Sequence, residues 1–244
     1  MSIAESISNY TLELGEVQLI AVSKTKPESV IMEAYHAGQR HFGENKVQEL
    51  TAKYEALPKD IKWHMIGTIQ TNKLKYIASF VHMVHGVDRK KVLVELNKQA
   101  NKCSRTIQCL LQVHIAREDT KFGLSELELR ALVTELDQFP NVEVVGLMGM
   151  ATNTKDSNVI NDEFNYLKNL FDELGSTRNW HTLSMGMSGD YKIALENGTT
   201  HVRIGSAIFG VAGVFRPTFT AGLVCGNTFG CGGVDKAALV LSLG

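Results

Sequence analysis

Three groups of residues in this 244-residue chain have the right types to act together: a lysine that ends an apolar run, two loops rich in glycine and serine, and an arginine just before the second loop. The run Gln18-Leu19-Ile20-Ala21-Val22 leads into Ser23-Lys24-Thr25-Lys26-Pro27. A short, partly β-branched run that stops in a lysine reads as a buried strand delivering an amine to its end. Desolvation disfavours an ammonium ion, and a neutral amine attacks carbonyls and forms imines. Taken alone, the segment reads more simply as two solvated charges where a strand enters a loop. The loops are MGMSGD at 185–190 and RIGSA at 203–207. Glycine lets backbone approach an anion and serine adds donors, although both residues are also common in ordinary turns.

The elements that must position these residues follow from the alternation of apolar runs and amphipathic stretches. Strands are expected at 18–22, 41–43, 62–66, 81–87, 107–115, 142–148, 181–185 and 201–204. Helices are expected at 27–37, 45–57, 72–79, 89–102 with Asp88 as cap, 126–137, 160–174 and 191–197. Phe164, Leu167, Leu170, Phe171 and Leu174 give the sixth of these helices its apolar face. Eight strands alternating with helices predict an α/β fold with a parallel sheet, and the length fits a single (β/α)8 TIM barrel. A doubly wound open sheet is the alternative, but no G-x-G-x-x-G follows the first strand. The barrel is expected over residues 1–210. An atypical tail rich in Gly, Thr and apolar residues follows at 211–244.

Bulk properties exclude several classes. With 44% hydrophobic and 21% charged residues the composition is that of a soluble globular protein. The 25 basic and 26 acidic residues nearly cancel, which removes any electrostatic case for nucleic acid or an anionic membrane. No apolar segment reaches the roughly 18–20 residues that span a bilayer. The N-terminal residues carry acids in place of a basic start and an apolar core, so no secretory signal is read and a cytoplasmic location is expected. Cys103, Cys109, Cys225 and Cys231 form no C-x-x-C pair and have no histidines at zinc-finger spacing, so reduced thiols and no bound metal are expected.

In a barrel of this kind Lys24 ends strand one, MGMSGD follows strand seven, and Gly205-Ser206 follow strand eight, all on the face where barrel sites sit. Loops after strands seven and eight are a frequent phosphate site. Arg203 lies one residue before the end of strand eight. It either pairs with a carboxylate or faces a ligand in the mouth. Because a guanidinium only donates, it would keep a neighbouring pyridine nitrogen unprotonated and weaken that ring as an electron sink. An imine-forming lysine, a phosphate cradle and such an arginine together describe pyridoxal 5′-phosphate (PLP).

The chain also resembles the YggS/PROSC family, the pyridoxal phosphate homeostasis proteins. The matching stretches are AVSKTKP (21–27), GENKVQE (43–49), WHMIGTIQTNK (63–73), HGVD (85–88), KFGL (121–124), GLMGMAT (146–152), LSMGMSGDY (183–191) and VRIGSAIFG (202–210). They span nearly all of residues 17–210 in the family's order, and the tail departs from it. The resemblance implies a barrel like the N-terminal domain of alanine racemase, with PLP held as an aldimine on Lys24. It implies Arg203 at the ring nitrogen and Ser188, Gly205 and Ser206 at the phosphate. Asn45 matches an asparagine near the cofactor and is alternatively a helix cap. Lys26 matches a second lysine that helps PLP arrive or leave, or is a surface charge. The implied role is intracellular PLP homeostasis without turnover, by a monomer that passes cofactor to apo-enzymes. The alternative is a PLP-dependent racemase or related enzyme with His64 or Lys26 as base. The racemases' second β domain, which supplies a tyrosine base, is not read in this sequence.

Overall fold

Eight short strands, each parallel to the next, close on themselves in the order β1 to β8. The computed structural model describes residues 1–118 and 121–210. The strands are β1 Gln18–Val22, β2 His41–Glu44, β3 Lys62–Met65, β4 Met83–Val87, β5 Ile107–Gln112, β6 Val142–Met148, β7 Thr182–Met187 and β8 His201–Ile204. The helices are α1 Ile3–Leu14, α2 Glu28–His36, α3 Val47–Ala56, α4 Lys90–Lys102, α5 Glu126–Val133, α6 Ser157–Gly175, α7 Tyr191–Glu196 and α8 Ser206–Phe209. Barrel closure joins β1 to β8 through the pairs Gln18–His201, Leu19–Val202, Ile20–Arg203 and Ala21–Ile204. This is the (β/α)8 barrel expected from the alternation. The open-sheet alternative is excluded by that closing pairing.

The helices form because one face of each is apolar at helical spacing. In α4 the buried positions include Val92, Leu93, Leu96 and Ala100, and in α6 Ile160, Phe164, Leu167 and Leu170. These faces pack on the outside of the barrel in one continuous core. A separate small cluster of Met83, Leu110, Val145 and Met148 lies on the opposite faces of β4 to β6, inside the barrel. The rest of the interior is polar. His64, His85, Ser184 and Arg203 are all buried there.

Several boundaries differ from the sequence expectation for identifiable reasons. Helix α1 was not expected. Its apolar face is thin (Ile7 and Leu14), and its clearest signal is the capping box between Ser2 and Glu5. The helix expected at 72–79 is a 3-10 segment, Thr71–Tyr76, which buries only Leu74. Asp88 does not cap α4. Arg89 occupies the N-cap, and Asp88 Oδ1 accepts from the Arg89 guanidinium at 2.5 Å. Helix α6 starts earlier than expected because Asp156 caps it through Asn158 N, at 3.0 Å. The expected domain boundary after residue 210 and the tail 211–244 lie outside the described residues. No helix among the described residues is long and apolar enough to cross a membrane.

Candidate functional site

β7, β8, β1 and β2 are consecutive around the barrel, so the loops at their C-terminal ends are neighbours. The first of these loops holds Lys24. β1 ends at Val22, Ser23 is buried, and Lys24 is exposed. The expected buried amine is therefore corrected: the strand is buried and the lysine stands beyond it in the open mouth. What is buried is the apparatus beneath. Ser23 Oγ donates to Glu44 Oε1 at 2.6 Å. Lys53 Nζ donates to Ser23 O and Glu44 Oε1, both at 2.8 Å, and to Glu49 Oε1 at 2.6 Å. Glu49 Oε1 also accepts from Thr25 N at 2.6 Å. Thr25 sits at φ 61°, a left-handed conformation that costs a β-branched residue energy and persists only where neighbours enforce it. Burial pushes the Glu44 carboxyl up, while the bonds from Lys53 and Ser23 oppose that rise.

The other lysine of the motif is engaged. Lys26 Nζ donates to the carbonyls of Phe209 and Gly210 at 3.1 and 2.9 Å, tying the first loop to the end of α8. A cleft of about 500 Å³ lined by Lys26, Pro27, Glu49 and Lys53 opens beside the loop and flanks the mouth. Asn45 follows β2 and is half-buried. It is not a helix cap, because Lys46 holds the N-cap position of α3.

On the other side of β1, β7 carries a bulge. Between the pairs Ser184–His201 and Met187–Arg203 it has one residue more than β8. Gly186 takes φ 93° there, where a Cβ would also stand 2.7 Å from Ala194 Cβ. The bulge turns the strand end so that Met187 N donates to Asp190 Oδ1 at 2.5 Å. Ser188 Oγ accepts from Gly205 N at 3.4 Å, which joins the seventh and eighth loops. A Cβ on Gly205 would lie 3.1 Å from both Val22 Cβ and Val22 O, so glycine lets this loop lie against the end of β1 without crowding. Ser206 is exposed at the start of α8. Ser188, Gly205 and Ser206 are thus brought together, with the Lys24 loop alongside.

Arg203 points into the barrel. Its guanidinium donates to Ser184 Oγ at 2.6 Å and to Gly149 O at 3.0 Å. Burial lowers its pKa to about 10, opposed by the charge of Asp190, so it remains cationic at neutral pH. The expected alternative of a direct carboxylate pair is not what these bonds show, since its two acceptors are a hydroxyl and a carbonyl. From Ser184 the contacts continue across the interior. Ser184 Oγ lies 3.1 Å from His85 Nδ1, His85 Nε2 lies 2.9 Å from His64 Nδ1, and His64 Nε2 lies 2.9 Å from His41 Nδ1. Because Arg203 only donates, satisfying every buried group assigns Ser184 O–H to His85 Nδ1, and each imidazole then donates from Nε2 to the next. Burial holds His64 and His85 well below the ordinary histidine range and brings His41 to about 3. All three are therefore neutral near pH 7. His64 is committed to this row, which removes it from the expected role of base at the mouth.

Sequence reasoning missed Glu44, Lys53, His85 and Ser184. A signal was present for two of them. VHGV and LSM each place one polar residue among apolar neighbours in a strand, as WHM and VRI do with His64 and Arg203. Such a residue must face inward and find a partner there.

The family model of the alanine racemase N-terminal domain matches residues 3–213. Among curated relatives, the pyridoxal phosphate homeostasis protein of Aquifex aeolicus is 41% identical over 196 residues, covering 79% of this chain and 86% of that protein. The one of Vibrio alginolyticus is 43% identical over 200 residues, covering 80% and 86%. This chain belongs to the pyridoxal phosphate homeostasis protein family. Among solved structures, PipY of Synechococcus elongatus without PLP superposes with a TM-score of 0.82 at 36% identity, over 86% of this chain and 100% of PipY. The same protein with PLP bound gives 0.79. Alanine racemase of Bartonella henselae gives 0.69 at 18% identity, covering 86% of this chain and 58% of the racemase, a likeness of fold. What family members share with that enzyme is the barrel.

Proposed function

We propose that this protein binds PLP at the barrel mouth, with Lys24 as its covalent partner, and holds the cofactor for intracellular PLP homeostasis without turnover of its own. The observation that carries the reading is the junction at Gly205. The close approach of Gly205 to Val22 brings the Ser188 hydroxyl and the Ser206 region beside the Lys24 loop. The donor set fits the cofactor. Ser188, Gly205 N and Ser206 suit a phosphate, the donor-only Arg203 suits a ring nitrogen left unprotonated, and Asn45 lies on the adjacent strand end. The solved PLP complex of PipY, a relative at 36% identity, supports the same choice of ligand.

PLP supplies an aldehyde that an amine can capture reversibly. The chain's residues do the rest. Lys24 offers the amine at an exposed position. Ser188, Gly205 and Ser206 anchor the anionic end. Arg203 withholds a proton from the ring. Two features favour retention over catalysis. His64 is neutral and enclosed, and Lys26 Nζ is occupied by two carbonyls, so neither stands ready as a base. We further propose a cytoplasmic monomer that releases PLP to apo-enzymes. The unpaired Cys103 and Cys109 agree with a reducing compartment.

The test is an absorbance titration with PLP of the full chain, Lys24→Ala and Lys26→Ala, followed by borohydride reduction and peptide mapping. The full chain should turn yellow and carry the reduced adduct on Lys24, Lys26→Ala should keep it, and Lys24→Ala should lose it. A colourless wild type, or an adduct on another lysine, overturns the site. Sustained turnover of alanine, serine or another amino acid overturns the non-catalytic reading. Transfer of PLP to an apo-enzyme in the same series tests delivery.

A further inference from the structure

At the N-terminal ends of the strands, away from the loops described above, three imidazoles converge. His41 is the first residue of β2, His64 lies third in β3, and His82 directly precedes β4. One ring nitrogen from each lies within 4.8 Å of those of the other two. The His41 and His64 rings are 5.1 Å apart between centroids, and His82 meets both edge-on at 5.5 and 5.1 Å. We propose that His41, His64 and His82 form a binding site for a divalent transition-metal ion of the zinc and cobalt class.

Four observations support the assignment. First, three imidazoles with an open fourth position are a donor set suited to zinc and its neighbours, whereas calcium and magnesium require oxygen. Lys62 and Arg105 place positive charge near His41 and His82. Such surroundings disfavour a loosely held hard cation and leave affinity to direct nitrogen bonds. Second, the spacing requires little movement. His41 Nδ1 and His64 Nε2 stand 2.9 Å apart. Two ligands at about 2.0–2.1 Å from a tetrahedral ion are about 3.3 Å apart, so the pair opens by about half an ångström.

Third, His64 has the backing that metal-ligating histidines have, because its other nitrogen is hydrogen-bonded to buried His85. When His64 Nε2 becomes a ligand, its proton resides on Nδ1 and is donated to His85 Nε2. The His85 proton then resides on Nδ1 and is donated to Ser184 Oγ. Each ring keeps one proton, so the row reverses direction at constant charge, with Ser184 Oγ accepting from both His85 and Arg203 and its hydroxyl giving up His85 as acceptor. Fourth, His41 and His82 are half-buried, which leaves a path from solvent to the enclosed His64.

The probe is Co2+ titrated into the purified full chain, with and without added PLP, followed by its visible ligand-field bands and by equilibrium dialysis. One ion per chain should bind with the intense bands of four-coordinate cobalt whether or not PLP is present. His41→Ala and His82→Ala should each weaken binding at least about 10-fold, as losing a direct ligand exceeds losing the support behind one. His36→Ala, an exposed histidine in α2, should bind as wild type does. His82→Gln serves if His82→Ala is unstable, since it keeps the size of a half-buried side chain. No cobalt binding at millimolar ion, binding untouched by both histidine variants, or a sulfur-to-cobalt charge-transfer band from a cysteine site would each overturn the proposal.

Discussion

Lys24 and Arg203 are two cations of the proposed site, and the protein holds them in opposite ways. Lys24 has an exposed side chain on a rigid backbone. Ser23, Thr25 and the strand before them are fixed by the buried Glu44–Lys53–Glu49 network, and the amine itself is left free among the described residues. Arg203 has a buried side chain with both donor arms committed, to Ser184 and to Gly149 O. The difference fits the roles proposed for them. An amine that captures and releases an aldehyde needs mobility at Nζ and precision at Cα. A guanidinium that sets the protonation of a ring needs precision at its head group.

Substitutions that separate side chain from scaffold sharpen this contrast. The largest effect is expected for Lys24→Ala, which should abolish the borohydride-fixed adduct while leaving thermal stability within about 0.5 kcal/mol, because the lysine's own contacts hold nothing. Mass spectrometry and a melting curve on one sample check both halves. Lys53→Met should do the reverse. It leaves buried Glu44 without its cation, at an expected cost of about 3–5 kcal/mol by urea denaturation. The Lys24 loop should loosen as well, weakening PLP binding by a residue that never reaches the mouth.

Next in size is the acid response of the interior. His64 and His85 are held below their unfolded pKa of about 6.5, so the unfolded chain binds more protons and stability falls as pH is lowered. Each fully buried ring should withdraw about 1.4 kcal/mol per pH unit below about pH 6, close to 3 kcal/mol per unit for the two. Glu44 acts with the opposite sign. Its raised pKa contributes stability that is complete below about pH 4.3 and lost as pH rises through the folded value. Urea midpoints from pH 7 to pH 5 should therefore fall steeply on the acid side, and a flat profile would contradict a neutral interior. Smallest is Arg203→Met, expected to cost about 1–3 kcal/mol by leaving Ser184 and Gly149 O short of a donor. Its distinguishing readout is the absorbance of bound PLP, which should shift while the Lys24 adduct still forms.

Much of the barrel was legible because its strands are short apolar runs bounded by polar turns, and β1, β6 and β8 have the expected limits. The glycine–serine loops were legible for a related reason. Close backbone approach permits few residue types, and Gly205 against Val22 is such a place. Helix α1 was not, since only Ile7 and Leu14 among its apolar residues are fully buried, and its apolar stripe is faint. The support under Lys24 was hidden for a geometric reason. Glu44, Glu49 and Lys53 read as surface charges on a polar helix and its approach, and only the fold reveals that Lys53 turns inward beneath Ser23. The row of histidines was only partly legible: one polar residue in an apolar strand marks an inward-facing group without changing the strand's period, and only the fold shows which partner it meets.

The pairing of β1 with β8 has a consequence for the order of assembly. In the proposed site the lysine follows the first strand and the Ser188, Gly205 and Ser206 group follows the last two, so the parts meet only when the barrel's final seam closes. A chain still being synthesised, or one missing its last strand, has the amine but not Gly205 and Ser206. Capacity to retain the cofactor therefore reports that the circle is complete.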